Sequence, residues 1–272
     1  MDLISQLPTL SPTVWLLLGA GALIVGLAKT ALPGGASISV GLFALALPAK
    51  ESTGALLLLL LVGDAMALWV YRRDPDVATL LRLIPSVLVG IAAGAVFFAL
   101  VGSDVVRSVI GLILLLLVGV TIWRRRRAAP AGSAGSSGSA DGPGATGAGG
   151  PSRARTALSR ASYGSLGGFT TMVANAGGPV MSLYFFAMRM PVVTFLGTAA
   201  WFFAVVNVIK LPFSAGLGLI THETLVMDGV LVPLVLLGGL CGAKIARRIP
   251  QAAFERVVLG LTVVSALALL IG

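Results

Sequence analysis

An all-α polytopic membrane fold is predicted by three features of this sequence. Long apolar runs recur along almost all of it, charge is scarce, and the two halves share landmarks in the same order. Of 272 residues, 57% are hydrophobic and only 11% charged, where a soluble domain carries roughly a quarter charged residues to cover its surface. The apolar runs suit a hydrocarbon core about 30 Å thick.

In order along the chain, the runs lie near 13–32, 34–48, 52–71, 83–101 and 105–123, then near 161–175, 177–189, 194–213, 226–246 and 254–271. About ten transmembrane segments are therefore expected. Only Asp2 is charged before the first run, so that run is expected to be a retained helix and not a cleaved signal peptide. Residues 1–123 form a first transmembrane repeat and 161–272 a second. Residues 124–160, which contain the Gly/Ser/Ala/Pro stretch APAGSAGSSGSADGPGATGAGGPS, form a flexible linker.

The net charge of +9 sits between the apolar runs, a pattern of loop charge and not of nucleic-acid binding. With the N-terminus outside and ten crossings, fifteen lysines and arginines fall on the cytoplasmic side. Lys50, Arg107 and Lys210 fall on the outer side. That bias places both termini outside a bacterial cytoplasmic membrane and the linker within the cytoplasm. The chain has one cysteine, Cys241, and one histidine, His222. An internal disulfide is thereby excluded, and no metal or cofactor is expected. HExxH and GxSxG are absent, so no catalytic residue is assigned and an enzyme is not expected.

Gly34, Gly35, Pro48, Gly54 and Asp64 recur 143 residues later as Gly177, Gly178, Pro191, Gly197 and Asn207. Gly90 and Gly94 recur 148 later as Gly238 and Gly242, and Arg107 and Gly111 recur 149 later as Arg256 and Gly260. An odd number of helices per half makes the second half enter from the opposite side, an inverted repeat of five helices each. In each half the second segment is short, and the turn before it, ALPGGAS (31–37) or ANAGGPV (174–180), is rich in Gly and Pro. Broken helices at matching positions are a pointer to a binding site, and their free N–H groups favour an anion. Tight hairpins for close helix packing are the alternative reading.

Few polar groups lie inside the spans. Asp64 is a candidate ion-coupling residue, carrying a proton, or else a structural partner for a nearby cation. Lys29 and Thr30, just before the first Gly-rich turn, are placed to meet an anion, although Lys29 could instead reach the interface. Asn175, Gly177 and Gly178 in the second turn, Gly34 and Gly35 in the first, and Asn207 with Lys210 complete the expected substrate site. Arg189 is read as a cytoplasmic anchor, His222 and Glu223 as a solvated outer loop, and the GxxxG pairs as close-packing positions.

PGGASISVGLFALALPAKESTG (33–54) and NAGGPVMSLYFFAMRMPVVTFLG (175–197) resemble the sulfite exporter TauE/SafE-type permeases. In the first turn Pro33 precedes only two glycines, a departure from that pattern. The resemblance implies a permease for sulfite, an organosulfonate or a related small anion, often outward and ion-coupled. A passive anion channel and a carrier of a small carboxylate stay open. So do a coupling proton or other ion and a homodimer; membrane lipids are the expected surroundings.

Overall fold

The computed structural model describes residues 10–31, 36–73, 75–128, 153–188 and 192–245. The expected tenth span, Gly34, Gly35, Arg189, Pro191, Arg256, Gly260 and most of the linker (129–152) lie outside those residues. Among the described residues there are nine helices and no strand. They are α1 Pro12–Ala31, α2 Ser37–Ala46, α3 Ala49–Tyr71, α4 Val77–Leu100, α5 Ser103–Ala128, α6 Arg153–Ala174, α7 Gly177–Ala187, α8 Val192–Gly216 and α9 His222–Ile245. Five of the nine are long and apolar enough to cross a membrane: α1, α3, α4, and nearly the full length of α8 and α9. Large apolar side chains such as Trp69, Leu81, Val89, Leu112, Val208 and Leu237 stand exposed on their outer faces. In water such a surface would drive aggregation; against lipid it is the ordinary exterior.

Local chemistry sets the boundaries. Pro12 takes the first turn of α1, where its missing N–H costs nothing. α2 stops after ten residues because Leu47 is extended before Pro48, and α3 begins directly after that proline. α8 ends in a turn that needs Gly218 at φ 68°, closed by Leu219 N–H to Ser214 O at 2.9 Å and Gly218 N–H to Ala215 O at 3.0 Å. Several helices run past the apolar windows. α4 starts at Val77 and not near 83, α6 at Arg153 and not at 161, and α9 at His222. Polar interfacial turns lower the hydropathy of a helix end without ending the helix, so the windows cut them short. His222 is thus exposed in the first turn of α9 and not in a loop.

α1 packs along α9, α4 along α6, and α3 against both α8 and α9. The seams depend on glycine. A Cβ at Gly26 would overlap the Val235 carbonyl, one at Gly238 the Leu23 carbonyl, and one at Gly90 the Ser165 carbonyl. The GxxxG pairs therefore do bring backbones together, α9 onto α1 and α4 onto α6. α7 is held differently, by Phe185 edge-on to Phe195 and Phe202 of α8 at 6.0 and 5.9 Å.

Two predictions follow from these contacts. Gly26→Leu and Gly238→Leu are each expected to destabilise the purified protein by about 1–3 kcal/mol, seen as a lowered melting temperature. Gly229→Leu, on the same helix but with nothing within 4 Å, is expected to melt like the parent. Asp76 caps α4, accepting from the Thr79 hydroxyl at 2.7 Å and the Thr79 N–H at 3.0 Å. These bonds hold its carboxyl below the ordinary value of 3.8. A lowered carboxylate adds stability that is complete above the unfolded value and is lost as pH falls through the folded one. Asp76→Ala is expected to cost about 1 kcal/mol near neutral pH, and melting curves of the two proteins should converge below that range.

Candidate functional site

Four segments bring polar side chains to the middle of the molecule. The last turn of α1 carries Lys29, the middle of α3 carries Asp64, the turn between α6 and α7 carries Asn175, and α8 carries Asn207 and Lys210. Lys29 does not reach for the interface. Its stem lies across Gly63, where a Cβ would come within 2.9 Å of Lys29 Cγ. Its ammonium meets Asp64 Oδ1 at 2.5 Å and sits 4.7 Å from the centre of the Phe203 ring. Asn175 takes φ 50°, a left-handed conformation that asparagine tolerates better than most residues. That twist breaks the chain between α6 and α7 and turns the side chain inward.

The polar groups form one continuous chain. Asp64 Oδ2 accepts from Asn207 Nδ2 at 2.6 Å. Lys210 Nζ donates to Asn207 Oδ1 at 3.4 Å, to Thr171 Oγ1 at 3.4 Å and to Asn175 Oδ1 at 2.5 Å. Asn175 Nδ2 then donates to the Thr53 carbonyl at 2.9 Å. Asp64 and Asn207, the landmarks 143 residues apart, are thus bonded to each other. Lys210 is fully buried within α8, so it is not one of the outer-side charges that the loop pattern assigned to it. α8 continues through the polar turn that hydropathy read as its end.

A cavity of about 40 Å³ opens beside this chain. Lys29, Asp64, Thr171, Asn175, Gly178 and Asn207 line it. So do Ala36 and Ser37, at the start of α2. The N-terminal ends of both short helices therefore face the same space.

Not every expected site residue borders the cavity. Lys210 lies just behind Asn175 and Asn207. The Thr30 hydroxyl is directed away, to the Gly239 carbonyl of α9 at 2.9 Å and to Gly26 of its own helix at 3.1 Å. Gly177 faces Thr171 and the Gly167 carbonyl.

Sequence reasoning missed Tyr71, Ser37 and Phe203 as lining residues. Helical spacing was the available signal for two of them. Tyr71 lies seven residues after Asp64, and Phe203 four before Asn207, each on the same helix face as its polar neighbour. Also missed was Asp228, buried on α9 with no hydrogen-bond partner for either carboxylate oxygen. It does not line the cavity.

The family described as Sulfite exporter TauE/SafE matches residues 18–269, which span both halves. The chain belongs to this family. It is a family of membrane transporters, in keeping with the apolar spans, so this sulfite exporter family member is a multi-pass membrane permease. No curated protein and no solved structure matches the chain.

Lys210→Met tests whether the chain of polar groups holds the centre together. The substitution removes the donor to Asn175 and Asn207 and leaves their oxygens unpaired. It is expected to cost about 1–3 kcal/mol, measured by thermal unfolding of the purified protein; unchanged melting would show that these bonds carry no stability.

Proposed function

We propose that this permease carries a small anion, sulfite or an organosulfonate, across the bacterial cytoplasmic membrane by ion-coupled alternating access. One observation carries the reading. Two broken-helix N-termini and the Lys29 ammonium border one cavity beside a single carboxylate, with the Lys210 ammonium directly behind Asn175 and Asn207. Lys29, Lys210 and Asp64 together leave one formal positive charge inside the span region. Such an excess of positive charge in a low dielectric favours the approach of an anion. The starts of α2 and α7 add a favourable dipole. In this reading Lys29, Asn175, Gly178 and Asn207 touch the substrate, with Gly177 shaping the α6–α7 turn. Lys210 orients the two asparagines, Thr30 anchors the end of α1, and Asp64 carries the coupling proton. The small cavity suits an ion of few atoms better than a bulky one.

The proposed architecture is two inverted five-helix repeats, with the linker cytoplasmic and both termini outside. Its support is reciprocal packing. A Cβ at Gly26 would meet the Val235 carbonyl, and one at Gly168 the Val87 carbonyl. One at Gly238 would meet Leu23, and one at Gly90 would meet Ser165. These pairs are what a two-fold exchange of the halves would produce.

Uptake of labelled sulfite and of a sulfonate into liposomes holding the purified protein, with and without a pH gradient, tests the function. Saturable, gradient-sensitive flux is expected, and Lys29→Ala should lower it about tenfold or more, the equivalent of one lost charged hydrogen bond. Flux that rises linearly without saturation would instead indicate a channel. No flux of either anion from folded protein would remove the sulfur-anion assignment.

A further inference from the structure

We propose that Asp64 is a resident counter-ion which the substrate displaces from Lys29, so that each anion binds together with one proton taken up by Asp64. This rests on the reading of the cavity as the anion site.

Asp64 already occupies the donors that an oxyanion would use. One carboxylate oxygen holds the Lys29 ammonium at 2.5 Å and the other accepts the Asn207 amide at 2.6 Å. Lys29 and Asp64 both border the cavity, whereas Lys210 does not. The Lys210 ammonium points its donors at Asn175, Thr171 and Asn207. The cation open to an arriving anion is therefore Lys29, and it is already neutralised.

An anion arriving alone would crowd two negative charges around one ammonium, with 1% of Asp64 exposed to water. If Asp64 gains a proton as the anion enters, the site has the same formal charge before and after. The carboxylate becomes a neutral carboxyl, and its O–H turns from acceptor to donor. Lys29 then transfers its ammonium hydrogen bond to the substrate, and Asn207 can still donate to the remaining carboxyl oxygen. Nothing else is consumed in the exchange: one proton and one anion enter, and both leave together.

Charged and titratable groups on the neighbouring elements leave this assignment to Asp64. α1 contributes Lys29, and α8 contributes Lys210 beyond Asn207. Tyr71 lines the cavity from Asp64's own helix. On α9, His222, Glu223 and Lys244 are exposed. Asp228 lies eleven residues before Gly239, roughly 16 Å along the helix. α2 has no ionisable side chain, and α5 carries Asp104 and Arg107 in its first two turns and Arg124, Arg125, Arg126 and Arg127 in its last two, arginines that keep their charge at every working pH.

The test is binding of methanesulfonate, which stays a monoanion across the working pH range, to the purified full chain by calorimetry. Runs in two buffers of different ionisation enthalpy count the protons. Wild type is expected to take up one proton per anion, with affinity falling about tenfold per pH unit once Asp64 is mostly ionised. Asp64→Asn is expected to bind with no pH dependence over the same range and with no proton uptake. Should the variant not fold, the wild-type proton count decides alone. Wild-type binding without proton uptake would overturn the exchange and leave the anion site standing. A pH slope retained in Asp64→Asn would assign the titration to a lysine and overturn it equally. Absence of binding by wild type at every pH would remove the anion site itself, and the exchange with it.

Discussion

Hydrocarbon offers no hydrogen-bond partner, so polar groups carried into the middle of a membrane protein must satisfy one another. Here that requirement is met by one chain of contacts running from Lys29 through Asp64, Asn207, Lys210 and Asn175 to the Thr53 carbonyl. It starts on α1, crosses α3 and α8, reaches the α6–α7 turn and returns to α3. No member can be removed without leaving a buried partner unsatisfied, which is how a handful of side chains fixes the relative placement of four segments.

The asparagines are suited to this position for a specific reason. An amide has both an acceptor oxygen and a donor nitrogen, so Asn207 faces the carboxylate of Asp64 with one and the ammonium of Lys210 with the other. A second carboxylate there would repel Asp64. The two halves thus carry different residues at matching positions, and the difference is what lets those positions bond to each other. Asn175 acts in the same way, taking a bond from Lys210 and giving one to Thr53, while its backbone supplies the left-handed turn that breaks the helix.

Around this polar centre the seams are of another kind. α1 with α9, and α4 with α6, approach so closely that backbone carbonyls occupy the space a Cβ would need. Thr30 spends its hydroxyl on the first seam, and its carbonyl accepts from Tyr71 of α3 at 2.6 Å. The end of α1 is therefore tied to both α9 and α3 only one residue past Lys29. Tight apolar seams and a small polar cavity are consistent demands: the seams exclude lipid and water, and that exclusion is what makes the charges in the cavity act strongly on one another.

Membrane class, five of the apolar spans, the short helices α2 and α7 and the close-packing glycines were legible in the sequence. They depend on local composition and on chemistry close along the chain: apolar length, Gly and Pro at breaks, GxxxG spacing. Lys29, Asp64, Asn175 and Asn207 were legible as candidates too, since a polar side chain inside an apolar run is conspicuous. Helix ends were read short wherever polar turns, such as those opening α4 and α6, continue a helix beyond its apolar window. What the sequence by itself determined is therefore which residues are costly to bury and where the backbone is broken. Only the tertiary structure decided that Lys29 turns inward to Asp64, that Asn207 bridges two opposite charges, that Thr30 serves the α9 seam and not the cavity, and that Lys210 is buried. Those outcomes depend on which helices lie side by side, and partners 35 to 209 residues apart leave no periodic trace along a single chain.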